Sequence, residues 1–318
     1  MASCIRFVDL FSGIGGFHVG LKDFGTCVLA CEIDANARSV YQSNFPDTPI
    51  CNDVTEIKEL PDHDMITAGF PCQPFSVAGR RLGFEDDRGG MFSRILWLAR
   101  QHSTSTLLLE NVPFLLKHDQ GKTFATIKAA LENEGYAVSF SVLNAADFGV
   151  PQERKRLFIV ARREGKNIDF PIGNMDRVPI KAILENDVDG EELAFKHKDR
   201  IPDPIPKEGR IPLVNPQGKL HQCDYLVRSS KPAPTMTYQI YAVTKSLKVI
   251  WPELRFLSAR EVARIGGFPD DFKLHPNRNR VYEQIGNSVA PPVVTAIASK
   301  LFGDCGQTSE YTAQSSDR

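Results

Sequence analysis

The chain has 318 residues, 42% apolar and 24% charged, with a net charge of -1. That is ordinary globular composition for one large domain or two modest ones, and it excludes a global basic field, so any nucleic-acid surface must be a local patch. Seven cysteines without a Cys-x-x-Cys pair argue against a disulfide framework or zinc knuckle and for reduced cytosolic thiols, and no metal is expected.

The first residues show no charged leader followed by an apolar core, and no apolar run reaches about 18 residues. Neither a signal peptide nor a membrane span is expected, and a cytoplasmic location follows. Ile5 to Phe11 is an apolar run ending in Ser12-Gly-Ile-Gly-Gly16, and a helical pattern at Phe17, Val19, Leu21 and Phe24 comes next. Strand, glycine turn and helix open a Rossmann-like unit. Gly13, Gly15 and Gly16 let the backbone approach a ligand, and the helix start offers free N–H groups to an anionic group. The spacing falls short of the full Gly-x-Gly-x-x-Gly signature, so on this stretch alone a plain strand-to-helix turn stays open. A second apolar run, Cys27 to Cys31, ends in Glu32-Ile-Asp34. An acid about 20 residues past the first turn is placed to accept hydrogen bonds from ribose hydroxyls. A helix over Asp34–Asn44 leads to the third strand end, where Asn52 and Asp53 suit an adenine amino group or an everyday turn.

Met65 to Ala68 reads as a fourth buried strand, followed by Gly69-Phe-Pro-Cys-Gln-Pro-Phe-Ser76. Pro71 and Pro74 end the strand and stiffen the loop around a single thiol, Cys72. Open α/β sheets bind ligands at this end of their strands, although an inert buried cysteine is the common alternative. The glycine- and charge-rich stretch 79–90 reads as a long mobile loop. A helix over Met91–Gln101 and a fifth strand at Thr106–Leu109 follow, and the strand ends in Glu110-Asn-Val-Pro113. Neighbouring fourth and fifth strands would bring Glu110 near Cys72. Lys122–Glu134 is an amphipathic helix stopped by Gly135, Tyr136–Leu143 alternates like an exposed edge strand, and Leu157–Ala161 is a further apolar strand. Six basic residues between Arg154 and Lys166 suit phosphate anchoring, or else a solvated charged edge.

From Phe170 the periodicity fades and prolines crowd in. Residues 170–274 read as a smaller domain, loop- and β-rich to about Leu254, beside a domain of residues 1–169. Scattered basic residues with Tyr225, Tyr238 and Tyr241 give it a diffuse nucleic-acid-binding character. Ser258-Ala-Arg-Glu261 is a capping box that opens a helix to Ile265. Residues 275–318 form a C-terminal segment in which prolines start a last helix ending at Phe302.

Together these segments resemble the cytosine-5 DNA methyltransferase family of the bacterial or phage restriction-modification type. Asp9-Leu-Phe-Ser-Gly-Ile-Gly-Gly16 looks like its cofactor motif and Gly69-Phe-Pro-Cys-Gln-Pro-Phe-Ser76 like its catalytic motif. Glu110-Asn-Val112, Gln152-Glu-Arg-Lys-Arg156, Arg260 to Pro269 and Gly286-Asn-Ser-Val289 match the remaining motifs in family order. The resemblance implies an α/β fold: a Rossmann-like, S-adenosylmethionine-dependent sheet with helices on both faces, plus a smaller target-recognition domain. It implies S-adenosyl-L-methionine as cofactor, S-adenosyl-L-homocysteine as product, and double-stranded DNA as partner. A cognate restriction endonuclease would act on the same site without direct contact, and the family tendency is a monomer.

By resemblance Cys72, Glu110, Arg154 and Arg156 are catalytic. Phe11, Gly13, Gly15, Gly16, Glu32, Ile33, Asp53, Pro71, Asn287 and Ser288 meet the cofactor. Gln73, Ser76, Arg80, Arg81, Arg88, Gln152 and Thr235 meet DNA. Ile33 stands where relatives often carry tryptophan, and Met236 departs from the usual leucine or isoleucine after the recognition threonine. The chemistry fits these types. Carbon 5 of cytosine is a poor nucleophile until a thiolate adds at carbon 6, an acid stabilises charge at ring nitrogen 3, and the base is flipped from the stack. A tRNA cytosine methyltransferase of the same fold is the nearest alternative, but its Pro-Pro-Cys and Cys-Phe-Thr segments are missing here. A catalytically silent DNA-binding module would not need Cys72, Glu110 and the arginine pair. A nicotinamide oxidoreductase would leave the Pro-Cys loop unexplained.

Overall fold

The computed structural model describes residues 5–71, 90–163, 165, 167–186, 188, 193–195, 198–208, 211–214, 220–236 and 249–303. A seven-stranded sheet in the order β3-β2-β1-β4-β5-β7-β6 forms the centre. It comprises β1 (Ile5–Leu10), β2 (Gly25–Cys31), β3 (Ile50–Cys51), β4 (Met65–Gly69), β5 (Thr106–Asn111), β6 (Ala137–Asn144) and β7 (Lys155–Arg162). Strands β1 to β5 pair in parallel, while β7 runs antiparallel to both β5 and β6. Every residue of β5 is buried, which explains its nearly unbroken apolar run. On β6, at the sheet's edge, buried and exposed positions intermix, as its sequence predicted.

Helices cover both faces. On one, α3 (Met91–Gln101) and α4 (Lys122–Asn133) bury Ile95, Leu98, Ile127 and Leu131 against the central strands. On the other, α1 (Gly16–Leu21) and α7 (Pro291–Phe302) pack Phe17, Leu21, Val293 and Ile297, with Tyr41 from α2 (Ala35–Asn44) in the same core. The last helix thus returns to the sheet through apolar contact with the first.

A second sheet has the order β11-β10-β9-β8, formed by β8 (Ile211–Val214), β9 (Leu220–Arg228), β10 (Val249–Trp251) and β11 (Arg255–Phe256). Its small core holds Phe195, Ile211, Leu226 and Val249. Two further helices, α5 (Ala259–Ile265) and α6 (Arg278–Asn287), share a core with Ile14, Ala37 and Val40 from the first half. Helix α6 was not foreseen in the sequence, although Asn277 caps it and Val281, Tyr282 and Ile285 form its buried stripe.

The capping box at Ser258 forms as its sequence indicated and does more than cap. Glu261 is fully buried. Its carboxylate accepts from Arg255 Nη1 (2.8 Å) and Nη2 (2.6 Å), from Ser258 N (2.8 Å) and from Glu185 N (2.9 Å). Burial pushes its pKa up, but these donors outweigh burial and hold it below the ordinary carboxylate range. One acid therefore joins β11, α5 and the strand-less linker around residue 185. Removing one partner of a buried pair strands the other charge, so Glu261→Ala should lower stability by about 3–5 kcal/mol in chemical denaturation.

Candidate active site

The carboxyl ends of β1, β2, β4 and β5 meet at one end of the sheet around a cavity of about 260 Å³. Phe11, Ser12 and Gly13 enter it after β1, Glu32 and Asp34 after β2, Gly69 at the end of β4, and Glu110 near the end of β5. Gln284, Asn287 and Ser288 close it from the end of α6. This is the strand end where open α/β sheets hold ligands.

The glycine turn is shaped by close packing. Gly15 has φ +95, and a Cβ there would stand 2.5 Å from the Phe45 ring. A Cβ on Gly16 would stand 2.3 Å from Ser288 Oγ. Behind the turn His18 stacks on Phe45 at 3.7 Å and shares a 2.8 Å hydrogen bond with Tyr41 Oη. Burial lowers the His18 pKa to about 4, so the ring is neutral there. Phe11 adopts φ 55, a left-handed conformation that is strained for a bulky residue, at the mouth of the same cavity. The Glu32 carboxylate accepts from Gly13 N and Asp34 N, each at 2.8 Å, and so fixes the turn against the end of β2.

Two polar atoms in the cavity wall are buried without a partner among the described residues, Ser12 Oγ and Gln284 Nε2. Orphaned donors and acceptors beside a cavity fit a polar ligand, and the carboxylates of Glu32, Asp34 and Glu110 fit one that carries a cation and hydroxyls. S-adenosylmethionine has a sulfonium, an ammonium, a carboxylate and a ribose diol, so this donor set suits it. The sequence reading missed Ser12 and Gln284 as cavity residues. Ser12 lay inside a quoted motif, while Gln284 sits on the unforeseen helix. The other residues expected at the cofactor, Gly15, Ile33, Asp53 and Pro71, are not among those that line the cavity. Ile33 is 73% exposed, Pro71 is exposed, and Asp53 accepts at 2.8 Å from both Thr55 N and Thr55 Oγ1.

Glu110 lies opposite Gly69 in the β4–β5 register, and Glu110 Oε2 is 3.4 Å from where a Gly69 Cβ would stand. Its Oε1 pairs with Arg156 Nε at 2.9 Å, with both side chains largely buried. Burial raises the Glu110 pKa above the ordinary range, against the opposing charges of Arg156 and Arg154. The acid and Arg156 therefore meet beside the end of β4, the strand that precedes Cys72 in the chain. Cys72, Gln73, Ser76, Arg80, Arg81 and Arg88, with most of the 79–90 loop, lie outside the described residues.

Arg154, expected to be catalytic, is not among the residues that line the cavity. It is 4% exposed, and its guanidinium donates to the carbonyls of Met236, Gly286 and Ser288. Gln152, expected to meet DNA, is buried. It is 1% exposed and donates to Ile265 O at 3.4 Å. Thr235 gives its hydroxyl proton to Glu153 O at 2.6 Å, which leaves it only acceptor capacity toward any partner. Among the described residues no group of three or more His, Cys, Asp or Glu is arranged to hold a metal, and no helix is long and apolar enough to cross a membrane.

Beneath the turn, Asp9 is fully buried at the end of β1. One oxygen accepts from Thr67 Oγ1 at 2.8 Å, and the other has no partner among the described residues. Burial pushes its pKa up to about 7, Thr67 opposes this and the Glu32 charge adds to it. An unfolded aspartate titrates near ~3.9. Between these values the folded state binds a proton that the unfolded state does not, so stability falls as pH rises through that window and levels off above about 7. Asp9→Asn lacks this proton. Its stability relative to the wild type should therefore rise from pH 4 to pH 7 by up to about 1.4 kcal/mol per unit in denaturant titrations.

A sequence profile of C-5 cytosine-specific DNA methylases matches residues 5–303. Type II methyltransferase M.HhaI of Haemophilus parahaemolyticus is 36% identical over 312 residues, covering 93% of this chain and 94% of the relative. Type II methyltransferase M.NgoBI of Neisseria gonorrhoeae is 38% identical over 317 residues, covering 93% and 94%. Among solved structures, S. pombe Dnmt2 methyltransferase shares the fold at TM-score 0.72 and 21% identity, over 94% of this chain and 98% of that one. The Entamoeba histolytica methyltransferase EhMeth shares it at TM-score 0.71 and 19% identity, over 96% and 100%. With the profile spanning nearly the whole chain, and with that sheet and cavity, this chain belongs to the C-5 cytosine-specific DNA methylase family and is a DNA cytosine-5 methyltransferase.

Proposed function

We propose that the protein methylates carbon 5 of a flipped-out cytosine in a specific duplex DNA site, through a covalent Cys72 adduct, as the modification enzyme of a restriction-modification system. The observation that carries this reading is the β4–β5 register. It sets the Glu110 carboxylate against Gly69, three residues before Cys72 in the chain, on the wall of the cavity suited to the cofactor.

The bound S-adenosylmethionine supplies an electrophilic methyl group. Within the protein, Cys72 as thiolate adds to carbon 6 and later leaves by elimination. A thiol has pKa ~8.5, so the site must favour its ionised form. Glu110, its proton affinity raised by burial, shares a proton with ring nitrogen 3 as negative charge builds on the base. Arg156, held by Glu110, orients the base carbonyl. Flipping the base costs a few kcal/mol, and the stretch 79–90 with Arg80, Arg81 and Arg88 is assigned to closing over it. Gln73, Ser76, the acceptor oxygen of Thr235 and the region 170–254 are assigned to the DNA side. The glycine turn, Glu32 and Asn287–Ser288 would hold the cofactor. Water or hydroxide takes the carbon-5 proton. The Type II methyltransferase relatives support a modification role. In this reading the protein works as a monomer, and a cognate endonuclease acts on the same site without touching it.

Methyl-labelled cofactor should label duplex DNA, and bisulfite sequencing after expression should show one sequence context. Label entering tRNA instead of DNA would overturn the substrate. Cys72→Ala should abolish transfer while S-adenosylhomocysteine still binds by calorimetry. Glu110→Gln should lower kcat by about 10²–10⁴ with a much smaller change in KM for DNA, measured in steady-state assays.

A further inference from the structure

Residues 151–156 are bonded to three separate parts of the molecule. At the amino end, Glu153 N donates to Ala233 O (2.7 Å), Ala233 N to Pro151 O (2.8 Å) and Thr235 Oγ1 to Glu153 O (2.6 Å). At the carboxyl end, Arg156 holds Glu110. Between them lies Arg154, buried, with one guanidinium for two neighbours. Its Nη1 donates to Met236 O at 3.0 Å, and its Nη2 donates to Gly286 O at 2.9 Å and Ser288 O at 2.6 Å. Asn287 and Ser288 are cavity wall.

Guanidinium is a rigid planar fork that keeps its charge, so its arms cannot move independently. Burial lowers the Arg154 pKa to about 9, with the Arg156 charge acting the same way and Glu110 opposing, and the side chain stays charged at neutral pH. No carboxylate is paired with it among the described residues. Three backbone carbonyls hold the charge, and Nε has no partner there. Displacing residues 286–288 therefore shifts the fork, and with it the bond to Met236.

Resting on the proposed function, we propose that Arg154 is a positioning residue that couples occupancy of the cofactor cavity to the order of the 233–236 segment, and through it to the target-recognition region. A ligand seated against Asn287 and Ser288 fixes the two carbonyls that hold Nη2, and the fork then fixes Met236. Coupling between two binding events is reciprocal, so duplex DNA held by that region tightens cofactor binding by the same factor.

Hydrogen exchange of the full chain, with and without S-adenosylhomocysteine, tests this alongside calorimetric binding of the same probe. In the wild type the probe should slow exchange at Ala233, Thr235 and Met236 at least about fivefold, the low end of ordinary coupling. Arg154→Lys keeps the charge on a single ammonium that cannot span both sides. The probe should still bind, and the slowing should vanish. A merely structural arginine would raise exchange equally in both states and leave the ratio intact, which would overturn the coupling. Thr235→Val cuts the same segment from Glu153 but leaves the fork to Met236, so the ratio should survive there; its loss in this variant would place the coupling outside Arg154 and overturn the inference even if Arg154→Lys does not fold. Probe that binds the wild type without changing exchange at 233–236, or a ratio that survives in folded Arg154→Lys, also contradicts the inference. Probe that does not bind the wild type contradicts the proposed function instead.

Discussion

The site depends on the direction of one strand. Strands β1 to β5 run parallel and deliver their carboxyl ends to the cavity, whereas β7 runs antiparallel to β5. Its first residues therefore arrive where β5 ends. That reversal places Arg156 2.9 Å from Glu110 and lets Arg154 reach the end of α6 that closes the cofactor cavity. A parallel β7 would carry both arginines to the opposite end of the strands. Buried ion pairs repay their desolvation only when the geometry is good. The pairing of Glu110 with Phe158, two residues past Arg156, supplies that geometry from the backbone.

Around this frame the cavity concentrates features that a fold optimised for stability alone would avoid. Phe11 holds a left-handed backbone, Asp9 is a buried carboxyl with one oxygen unpartnered among the described residues, and Ser12 and Gln284 leave polar atoms unmatched. Each is unfavourable in isolation and each lies at or under the cofactor wall. Strain and unsatisfied groups gather where a ligand completes the structure. The rest of the chain compensates with two apolar cores on the faces of the sheet and with the Glu261 network, which anchors the second sheet through four donor contacts to one acid.

Much of this was legible in the sequence. The strand preceding each site residue could be read from apolar runs, the helix over Met91–Gln101 from its stripe, and the capping box from Ser258 and Glu261, because these signals are local. The approach of Glu110 to the end of β4 followed from assuming that consecutive strands are neighbours. What escaped was long-range. Arg154 bonds to residues 82 and 132 positions away, and nothing in a basic cluster distinguishes an arginine that meets phosphate from one that holds backbone carbonyls. Gln152 likewise bonds to Ile265, 113 positions away. Helix α6 was missed because its buried stripe is narrow and set among Arg, Asn and Glu, and Gln284 was missed with it.

The central claim is that Cys72 forms a bond to the base at a site completed by Glu110 and the cofactor. Duplex DNA carrying 5-fluorocytosine cannot release the carbon-5 substituent as a proton, so the adduct should persist. With S-adenosylmethionine present, denaturing mass spectrometry should find DNA linked to the protein, and peptide mapping should place the link at Cys72. Active protein that transfers methyl to ordinary DNA but forms no such link, or links through another residue, would contradict the account.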